Sequence, residues 1–321
     1  MQTMIKCLLV SAVVFLTLAL SSIEAQAQRK IGVLMFSEEA RYMEALKGIK
    51  DKLREGGFGE PKATFIVEQA GANKARAAEL VKTFSAEKPD LIITLGTSAT
   101  VAVSREIQDV PIVFSVVYDP VEAGIAKGWK SSGNNTTGSS SKIPMSRLAE
   151  SLKHFTQVKK LAVLYTTGEK NSESVLKDLQ RTEANYKIKV IPVRLTKIEE
   201  VNQLLPEVLR TTDAVYVTGS NLIDSQVLVI ADMATKAKVI TITHLDDLVE
   251  KGVFLAVCAD AYSMGQLAGE KAVKILKGVN PSSIPIEAAT KSDVILNMRT
   301  ALKGQFHIPP NLMKTVTRTI E

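Results

Sequence analysis

DLIITLGTSATVAVSREIQ, residues 90–108, is the stretch that decides the fold. It predicts an apolar strand, a tight turn at Gly96-Thr97-Ser98, and a helix that begins near Ser98. The Ser98 hydroxyl would be the N-cap of this helix, contact a ligand, or do both. Such a turn directs several unpaired backbone N–H groups and the positive end of the helix dipole to one point. The stretch therefore predicts a binding site for a carboxylate or phosphate group.

The same pattern occurs a second time. DAVYVTGS, residues 213–220, again has an aspartate six residues before the glycine and a hydroxyl residue directly after it. Each copy is followed by an apolar strand and then by a matching turn, DPVEAG at 119–124 and DLVEKG at 247–252. The two pairs are offset by 123 and 128 residues. This regularity predicts two related halves that face one another.

The rest of the chain alternates strands and helices with short connections, which is typical of doubly wound parallel sheets. Strands are predicted at 30–36, 63–67, 90–95, 110–117, 160–165, 189–193, 214–218, 238–243, 253–258 and 294–297. Helices are predicted at 38–55, 73–86, 146–155, 172–185, 198–210, 222–236 and 263–276, besides the one near Ser98. The Ser-, Gly- and Asn-rich segment 129–142 is interpreted as a flexible loop that contains a crossover between the halves.

At 321 residues the chain is long enough for two domains. We predict two Rossmann-like lobes with parallel sheets: residues 28–141 and 247–283 form the first lobe, and 142–246 and 284–321 the second. Three crossovers, near 139–142, 245–252 and 279–284, would form a hinge. The carboxyl ends of both sheets would then face a cleft between the lobes, where ligands of such sheets bind.

Residues 1–27 are predicted to be a cleaved signal peptide, because Lys6 precedes an apolar run from Cys7 to Leu20 and Ala25-Gln26-Ala27 resembles a cleavage site. The run is too short for a comfortable membrane span, so we expect an exported protein in a periplasm-like compartment. Removal of the signal leaves a single cysteine, Cys258, which excludes an internal disulfide and a CxxC site.

Several classes of function lack support. The net charge of +6 is spread along the chain rather than gathered in a stripe, which argues against a nucleic-acid partner. The three histidines have no metal-binding spacing, and neither a nucleophile elbow, a Walker loop nor a dinucleotide fingerprint is found. We therefore expect no metal, no cofactor and no catalytic residues, and interpret Cys258 as a buried, inert thiol.

Candidate ligand-binding residues lie at the two turns and at the predicted strand ends. Thr97 and Ser98 would offer hydroxyl and N–H groups to an anionic group, and Ser220 and Asn221 would do so from the facing lobe. Asp119 would bind an ammonium group or cap the turn that follows it. Other acidic candidates adjoin the predicted crossovers, where they would bind a cation or form hinge hydrogen bonds: Asp246 and Asp260.

Aromatic candidates would enclose an apolar or planar ligand, or else close the core of their lobes: Phe36, Tyr118, Tyr165 and Tyr262. Phe36 and Tyr165 occupy equivalent positions in the two halves, so we expect them to face each other. His244 ends the last predicted strand of the second half. Its ring would bind the ligand or serve a structural role.

Taken together, these pieces resemble the periplasmic substrate-binding proteins of ABC transporters, in the branch that includes tryptophan-binding components. The similarity extends over about residues 30–310 and rests on Gly96-Thr97-Ser98, 111–114, 119–121 with Gly124, 133–134, 137–138, 164–166, Asn171-Ser172, Tyr262, Gly265, 275–278, 284–286 and 296–297. The resemblance implies the type I periplasmic-binding fold.

The resemblance also implies a monomeric, non-enzymatic protein that closes over a small molecule, with an amino acid as the first expectation. Its partners would be an ABC permease and the ATPase of that permease, and it would meet the membrane only through the permease. A periplasmic ligand-sensing subunit of a signalling receptor would share every feature cited. An enzyme using the same cleft is a third reading, which predicts turnover of the ligand.

Overall fold

The computed structural model describes residues 28–155 and 157–321. The strands of these residues form two sheets. The predicted signal peptide lies outside the described residues. The first sheet has six parallel strands in the order β11-β5-β4-β3-β1-β2. These strands are β1 (Arg29–Met35), β2 (Ala63–Gln69), β3 (Leu91–Leu95), β4 (Ile112–Val117), β5 (Thr136–Ser140) and β11 (Glu287–Ala288).

The second sheet has seven strands in the order β13-β12-β10-β9-β8-β6-β7, and all neighbours are parallel except β10 and β12. The strands are β6 (Lys160–Tyr165), β7 (Lys189–Arg194), β8 (Ala214–Val217), β9 (Ile240–Thr243), β10 (Leu255–Cys258), β12 (Asp293–Asn297) and β13 (Arg318–Ile320). The strands shared by both halves follow the same order, β2-β1-β3-β4 and β7-β6-β8-β9, so the prediction of two related lobes is confirmed.

Thirteen α-helices of the described residues connect and cover these strands. They are α1 (Ala40–Glu55), α2 (Lys74–Glu87), α3 (Thr97–Glu106), α4 (Met145–Lys153), α5 (Lys170–Gln180), α6 (Glu183–Tyr186), α7 (Glu199–Thr211), α8 (Asn221–Ser225), α9 (Val227–Lys236), α10 (Asp247–Glu250), α11 (Ala261–Leu276), α12 (Met298–Gly304) and α13 (Pro310–Met313). None of them is long and apolar enough to cross a membrane, among the residues that the structure describes.

The repeated aspartates have the same structural role in both lobes. The Asp90 carboxylate accepts the backbone N–H of Lys30 at 2.8 Å, and the Asp213 carboxylate accepts that of Lys160 at 2.8 Å. Each aspartate thus joins the start of the strand before the glycine turn to the start of the neighbouring strand. The glycine turns therefore lie at corresponding corners of the two sheets.

The chain crosses between the lobes three times, as predicted, but two crossings lie elsewhere. They fall at 141–144, at 259–260 and at 289–292, where consecutive elements change sheet. The predicted assignment of 247–283 to the first lobe is wrong for β10, which pairs with β9 and β12 in the second sheet. The assignment of 284–321 to the second lobe is wrong for β11, which pairs with β5. The sequence of a short apolar strand does not indicate which of two sheets the strand will join.

Two local predictions also differ from the structure. Part of the predicted flexible loop is the buried strand β5, and a methyl group added to Gly138 in β5 would lie 2.1 Å from the Phe114 carbonyl oxygen. A glycine is needed at position 138 because the neighbouring strand β4 leaves no room for a side chain there. The predicted helix 222–236 is divided at Gln226 into α8 and α9.

Candidate functional site

A small cavity lies between the lobes, and both glycine turns border it. Its volume for a water-sized probe is about 20 Å³, which is roughly the space of one water molecule. A methyl group added to Gly96 would lie 2.3 Å from the hydroxyl oxygen of Tyr42, which lines the cavity. The lining residues are Arg41, Tyr42, Thr97, Val116, Tyr118, Ser141, Asn171, Gly219, His244 and Leu245. The space between the lobes, predicted above as a cleft, is thus present as this cavity.

The first turn presents an open helix N-terminus. Helix α3 begins at Thr97, and Gly96 occupies the N-cap position with φ 88° and ψ 157°, a conformation essentially restricted to glycine. Gly96 has no side chain to cap the helix, and no acceptor among the described residues receives the N–H groups of Thr97, Ser98 and Ala99. The prediction that Ser98 is the N-cap is wrong, because the helix starts one residue earlier.

At the second turn, in contrast, side chains of the protein itself accept the N–H groups at the helix N-terminus. Ser220 caps α8 and accepts the N–H of Ile223 at 3.2 Å. The Glu169 carboxylate accepts the backbone N–H of Asn221 at 2.8 Å and its side-chain Nδ2 at 2.9 Å. Burial raises the pKa of Glu169, while the Asn221 N–H, the charge of Lys74 and the nearby Leu222 N–H act to lower it. A carboxylate of the protein thus occupies the anion position of the second lobe.

Asn171, at the start of α5, lines the cavity and carries a hydrogen-bond acceptor in its side-chain amide. Its side-chain Nδ2 donates to the Gly219 carbonyl at 2.6 Å, which fixes the amide in place. Its Oδ1 is buried and has no hydrogen-bond partner among the residues that the structure describes. A buried acceptor without a donor is costly, so this atom is suited to a donor supplied by a ligand.

Arg41 forms a buried clasp across the lobes. Its guanidinium lies 2.7 Å from Asp247 Oδ2 and also contacts Asp224, and the three side chains are only 4–5% exposed. Burial alone would lower the Arg41 pKa, but Asp224 and Asp247 raise it well above its ordinary value. Arg41 extends from α1 in the first lobe, whereas both aspartates belong to the second. The clasp therefore holds the lobes together in this structure.

Aromatic rings cover one side of the cavity. The rings of Tyr118 and His244 meet edge to face at 5.1 Å, and the Tyr216 hydroxyl lies 2.7 Å from His244 Nδ1. Burial, with a contribution from Arg41, lowers the pKa of His244 to about 3, so the ring is neutral at physiological pH. The result is a neutral, largely apolar wall.

Charged groups at the cleft edge add further links between the lobes. Lys142, in the first crossover, lies 2.7 Å from Asp119 of the first lobe and 2.7 Å from Asp178 of the second. Asp178 also accepts the Tyr118 hydroxyl at 3.0 Å, and Lys177 pairs with Glu122 at 2.7 Å.

The structure brings only some of the predicted site residues to the cavity. Thr97, Tyr118 and His244 line it, whereas Phe36 and Ser98 line a neighbouring groove. Asp119 accepts the N–H groups of Val121 and Glu122, and thus caps its turn. Tyr165 is half-buried at the end of β6 and lines neither space, so it does not face Phe36 across the cavity.

The remaining candidates have structural roles. Ser220 and Asn221 bond within their lobe, as described above. Asp246 and Asp260 are N-cap residues of α10 and α11, and burial next to Asp247 raises the pKa of Asp246 to about 6. Tyr262 lies outside the cavity, where its hydroxyl donates to Asp51 of α1 at 2.9 Å.

Six cavity residues were not predicted from the sequence: Arg41, Tyr42, Val116, Ser141, Asn171 and Leu245. Asn171 belongs to a segment already noted for its resemblance, and Leu245 directly follows the predicted residue His244. Arg41 and Tyr42 fall within a predicted amphipathic helix, where they read as ordinary surface and core positions. No group of three acidic, histidine or cysteine side chains in the described chain is placed to hold a metal ion.

Comparisons with known proteins agree with this arrangement. A family model described as ABC transporter substrate binding protein matches residues 30–320. A tyrosine-binding protein from Clostridioides difficile is 27% identical over 279 residues, which are 86% of this chain and 81% of the relative.

Two solved structures share the fold. An ABC domain in complex with L-Trp from Streptococcus pneumoniae has a TM-score of 0.86 at 24% identity, covering 92% of this chain and all of that one. The ligand-free, open structure of a substrate-binding protein with adhesive properties from Clostridium difficile has a TM-score of 0.72 at 27% identity, covering 91% and 100%. The predicted type I periplasmic-binding fold is confirmed.

Proposed function

Because this chain belongs to the family of ABC transporter substrate-binding proteins, a family of binding proteins and not of enzymes, we propose that it captures an amino acid in its interlobe cavity. It would be the exported, monomeric component of an uptake system in the periplasm, after removal of residues 1–27. The loaded, closed form would dock on a membrane permease that is driven by an ATPase.

One observation carries the amino-acid assignment. Thr97, at the open helix N-terminus, and Asn171, whose buried Oδ1 has no hydrogen-bond partner among the described residues, line the same cavity. N–H groups at a helix N-terminus suit a carboxylate, and an amide oxygen suits an ammonium group. The rings of Tyr118 and His244 would pack against the side chain of the ligand. This combination matches the polar and apolar parts of an α-amino acid.

The size of the cavity indicates that the lobes must separate to admit such a ligand. A space of about 20 Å³ does not hold an amino acid. The TM-score is higher for the L-Trp complex (0.86) than for the open, ligand-free structure (0.72), although the sequence identity is higher for the open structure (27% against 24%). This difference supports the interpretation that the present arrangement is a closed one, from which opening is a hinge rotation.

The relatives named for tyrosine and L-Trp make aromatic amino acids the first candidates. Isothermal titration calorimetry with a panel of amino acids tests this proposal. We expect at least one aromatic amino acid to bind, and Asn171→Ala to weaken that binding about tenfold or more, because an ammonium group would lose a charge-assisted hydrogen bond. Asn185→Ala is the matched control outside the cavity. Binding of another solute class, with none of the amino acids bound, would contradict the proposal.

A further inference from the structure

A second and larger space lies beside the cavity, in a groove between α2 and α3 of the first lobe and the segment 168–170 of the second. Its volume for a water-sized probe is about 260 Å³, far larger than that of the cavity. Thr97 is the residue that lines both spaces. The groove is lined by Phe36, Lys74, Ala77, Thr97, Ser98, Val101, Ala102, Arg105, Gly168, Glu169 and Lys170.

The groove has a positive charge with few internal partners. Lys74, Arg105 and Lys170 outnumber the single carboxylate, Glu169. Among the described residues, neither Lys74 nor Arg105 has a carboxylate within 4.0 Å, whereas Lys170 pairs with Glu173 at 3.0 Å. Lys74 acts on Glu169 only from a longer distance, where its charge helps to lower the pKa of that carboxyl, so neither Lys74 nor Arg105 is held in an ion pair. Beneath them, the floor is apolar and consists of Phe36, Ala77, Val101 and Ala102.

The groove is poorly suited to the ammonium group of an amino acid. The one carboxylate in its lining, Glu169, already accepts the backbone N–H and the side-chain Nδ2 of Asn221. Asn171 lines the cavity and not the groove. A ligand of the groove therefore has an anionic group and an apolar body, without a cationic group.

We propose that this groove is a second binding site, for a small carboxylate with an aromatic or aliphatic body. The carboxylate would lie between Lys74 and Arg105, and the apolar body would pack against Phe36 and Val101. Because the walls come from both lobes, an occupant would stabilise the closed arrangement in which the groove is complete. The site does not depend on the identity of the ligand in the cavity.

Calorimetric titration with 3-phenylpropionate, which has the ring and carboxylate of phenylalanine but no ammonium group, tests the proposal. We expect it to bind, with at least about tenfold lower affinity in the double variant K74Q/R105Q, because the carboxylate loses two charge-assisted contacts. The matched control is R76Q/K82Q, which removes two charges from the same helix α2 outside the groove, and its affinity is expected to stay within about twofold of the parent.

A further measurement separates the groove from the cavity. The double variant K74Q/R105Q is expected to bind amino acids with the affinity of the parent, because neither side chain lines the cavity, and thermal unfolding confirms that each variant is folded. Absence of 3-phenylpropionate binding to the parent, or equal binding by K74Q/R105Q and the parent, would overturn the proposal. So would an equal loss of affinity for amino acids and for 3-phenylpropionate in K74Q/R105Q, since this would assign both ligands to one site.

Discussion

The Gly96 and Gly219 turns have the same place in their lobes but opposite chemistry. Both follow a central strand, both precede a helix and both border the interlobe cavity. At Gly96 the first helical N–H groups have no acceptor in the described chain, whereas at Gly219 they bind Glu169 and Ser220. One turn is open to a ligand anion, and the other is closed by the protein itself.

A single side chain accounts for much of this difference. The segments 30–36 and 160–166 start the two lobes alike, and the same offset of 130 residues relates Glu39 to Glu169. Both glutamates occupy the N-cap position of the helix after the first strand. The Glu169 carboxylate binds the second turn, but the Glu39 carboxylate accepts the Ser37 hydroxyl instead. The backbone of the two turns is thus alike, while the carboxylate that accepts N–H groups at the second turn has no counterpart at the first.

We expect the largest effect from removing the Arg41 clasp, because this would allow the lobes that carry the two turns to separate. Arg41 lies beside the first turn and contacts Asp224 of α8, the helix that follows the second. Arg41→Met leaves Asp247 buried without its cation and Asp224 with only Lys251, 3.4 Å away, which should destabilise the closed arrangement by about 3–5 kcal/mol relative to an open one in which the aspartates are hydrated. Small-angle X-ray scattering should show a larger radius of gyration.

The control for this prediction is Lys177→Met, which removes an exposed ion pair that also links the lobes. Exposed pairs contribute at most about 1 kcal/mol, so the radius of gyration should stay close to that of the parent. An unchanged scattering profile for Arg41→Met would show that the clasp does not hold the lobes together.

Adding a methyl group to each glycine compares the backbones of the turns directly. Gly96→Ala is expected to lower the free energy of unfolding by about 2–3 kcal/mol, because φ is 88° and the new methyl would lie 2.3 Å from the Tyr42 hydroxyl. Gly219→Ala meets only the end of the flexible Leu245 side chain, at 2.7 Å, and should cost less than about 1 kcal/mol. Urea unfolding measures both, and equal losses would contradict the comparison.

Removing Glu169 should make the second turn resemble the first. Glu169→Ala leaves the backbone N–H and the side-chain Nδ2 of Asn221 without their acceptor and should cost about 1–3 kcal/mol of stability. Added formate, a free carboxylate, should restore part of the loss, as measured by the thermal midpoint. Glu173→Ala, on the same helix α5, serves as control and should not respond to formate. Failure of formate to stabilise Glu169→Ala more than the control would argue against an anion position at this turn.

The smallest expected effect concerns pH and the wall of the cavity. Because the pKa of His244 is lowered from 6.5 to about 3, the unfolded chain binds a proton below pH 6.5 that the folded protein does not. Stability from this residue is therefore complete above pH 6.5 and is lost on acidification, by about 1 kcal/mol between pH 6.5 and 5.5. His244→Gln should lack this contribution.

Urea unfolding of the parent and His244→Gln at several pH values checks the prediction. Asp246, whose pKa is raised to about 6, acts in the opposite direction, since its stabilising contribution is lost as pH rises toward 6. The difference between parent and variant cancels this effect. A difference that does not change between pH 6.5 and 5.5 would mean that His244 titrates normally.

Much of this fold could be predicted because its signals are local. Buried parallel strands read as apolar runs, and the Asp-to-Gly spacing recurs because each aspartate binds the start of the neighbouring strand. Strand β5 was missed because its Thr, Gly and Ser residues are typical of a loop, and they form a strand only because Gly138 packs against Phe114. β10 was assigned to the wrong lobe because strand pairing is a tertiary property.

The site was less predictable for the same reason. Thr97, Tyr118 and His244 could be placed at the cavity because strand ends converge there. The clasp joins Arg41 to partners 183 and 206 residues away, so no local pattern indicates it. The acceptor at Asn171 is identified only by its lack of a partner after folding. Contacts between side chains that are far apart in the sequence leave no periodic pattern from which they could be predicted.

The most direct measurement is a crystal structure of the protein with an aromatic amino acid, L-tyrosine or L-tryptophan, bound between the lobes. The account predicts the ligand carboxylate about 2.7–3.2 Å from the N–H groups of Thr97 or Ser98, with Glu169 still bound to Asn221. A ligand carboxylate bound to the N–H groups of Asn221 and Leu222, with Glu169 displaced, would contradict it.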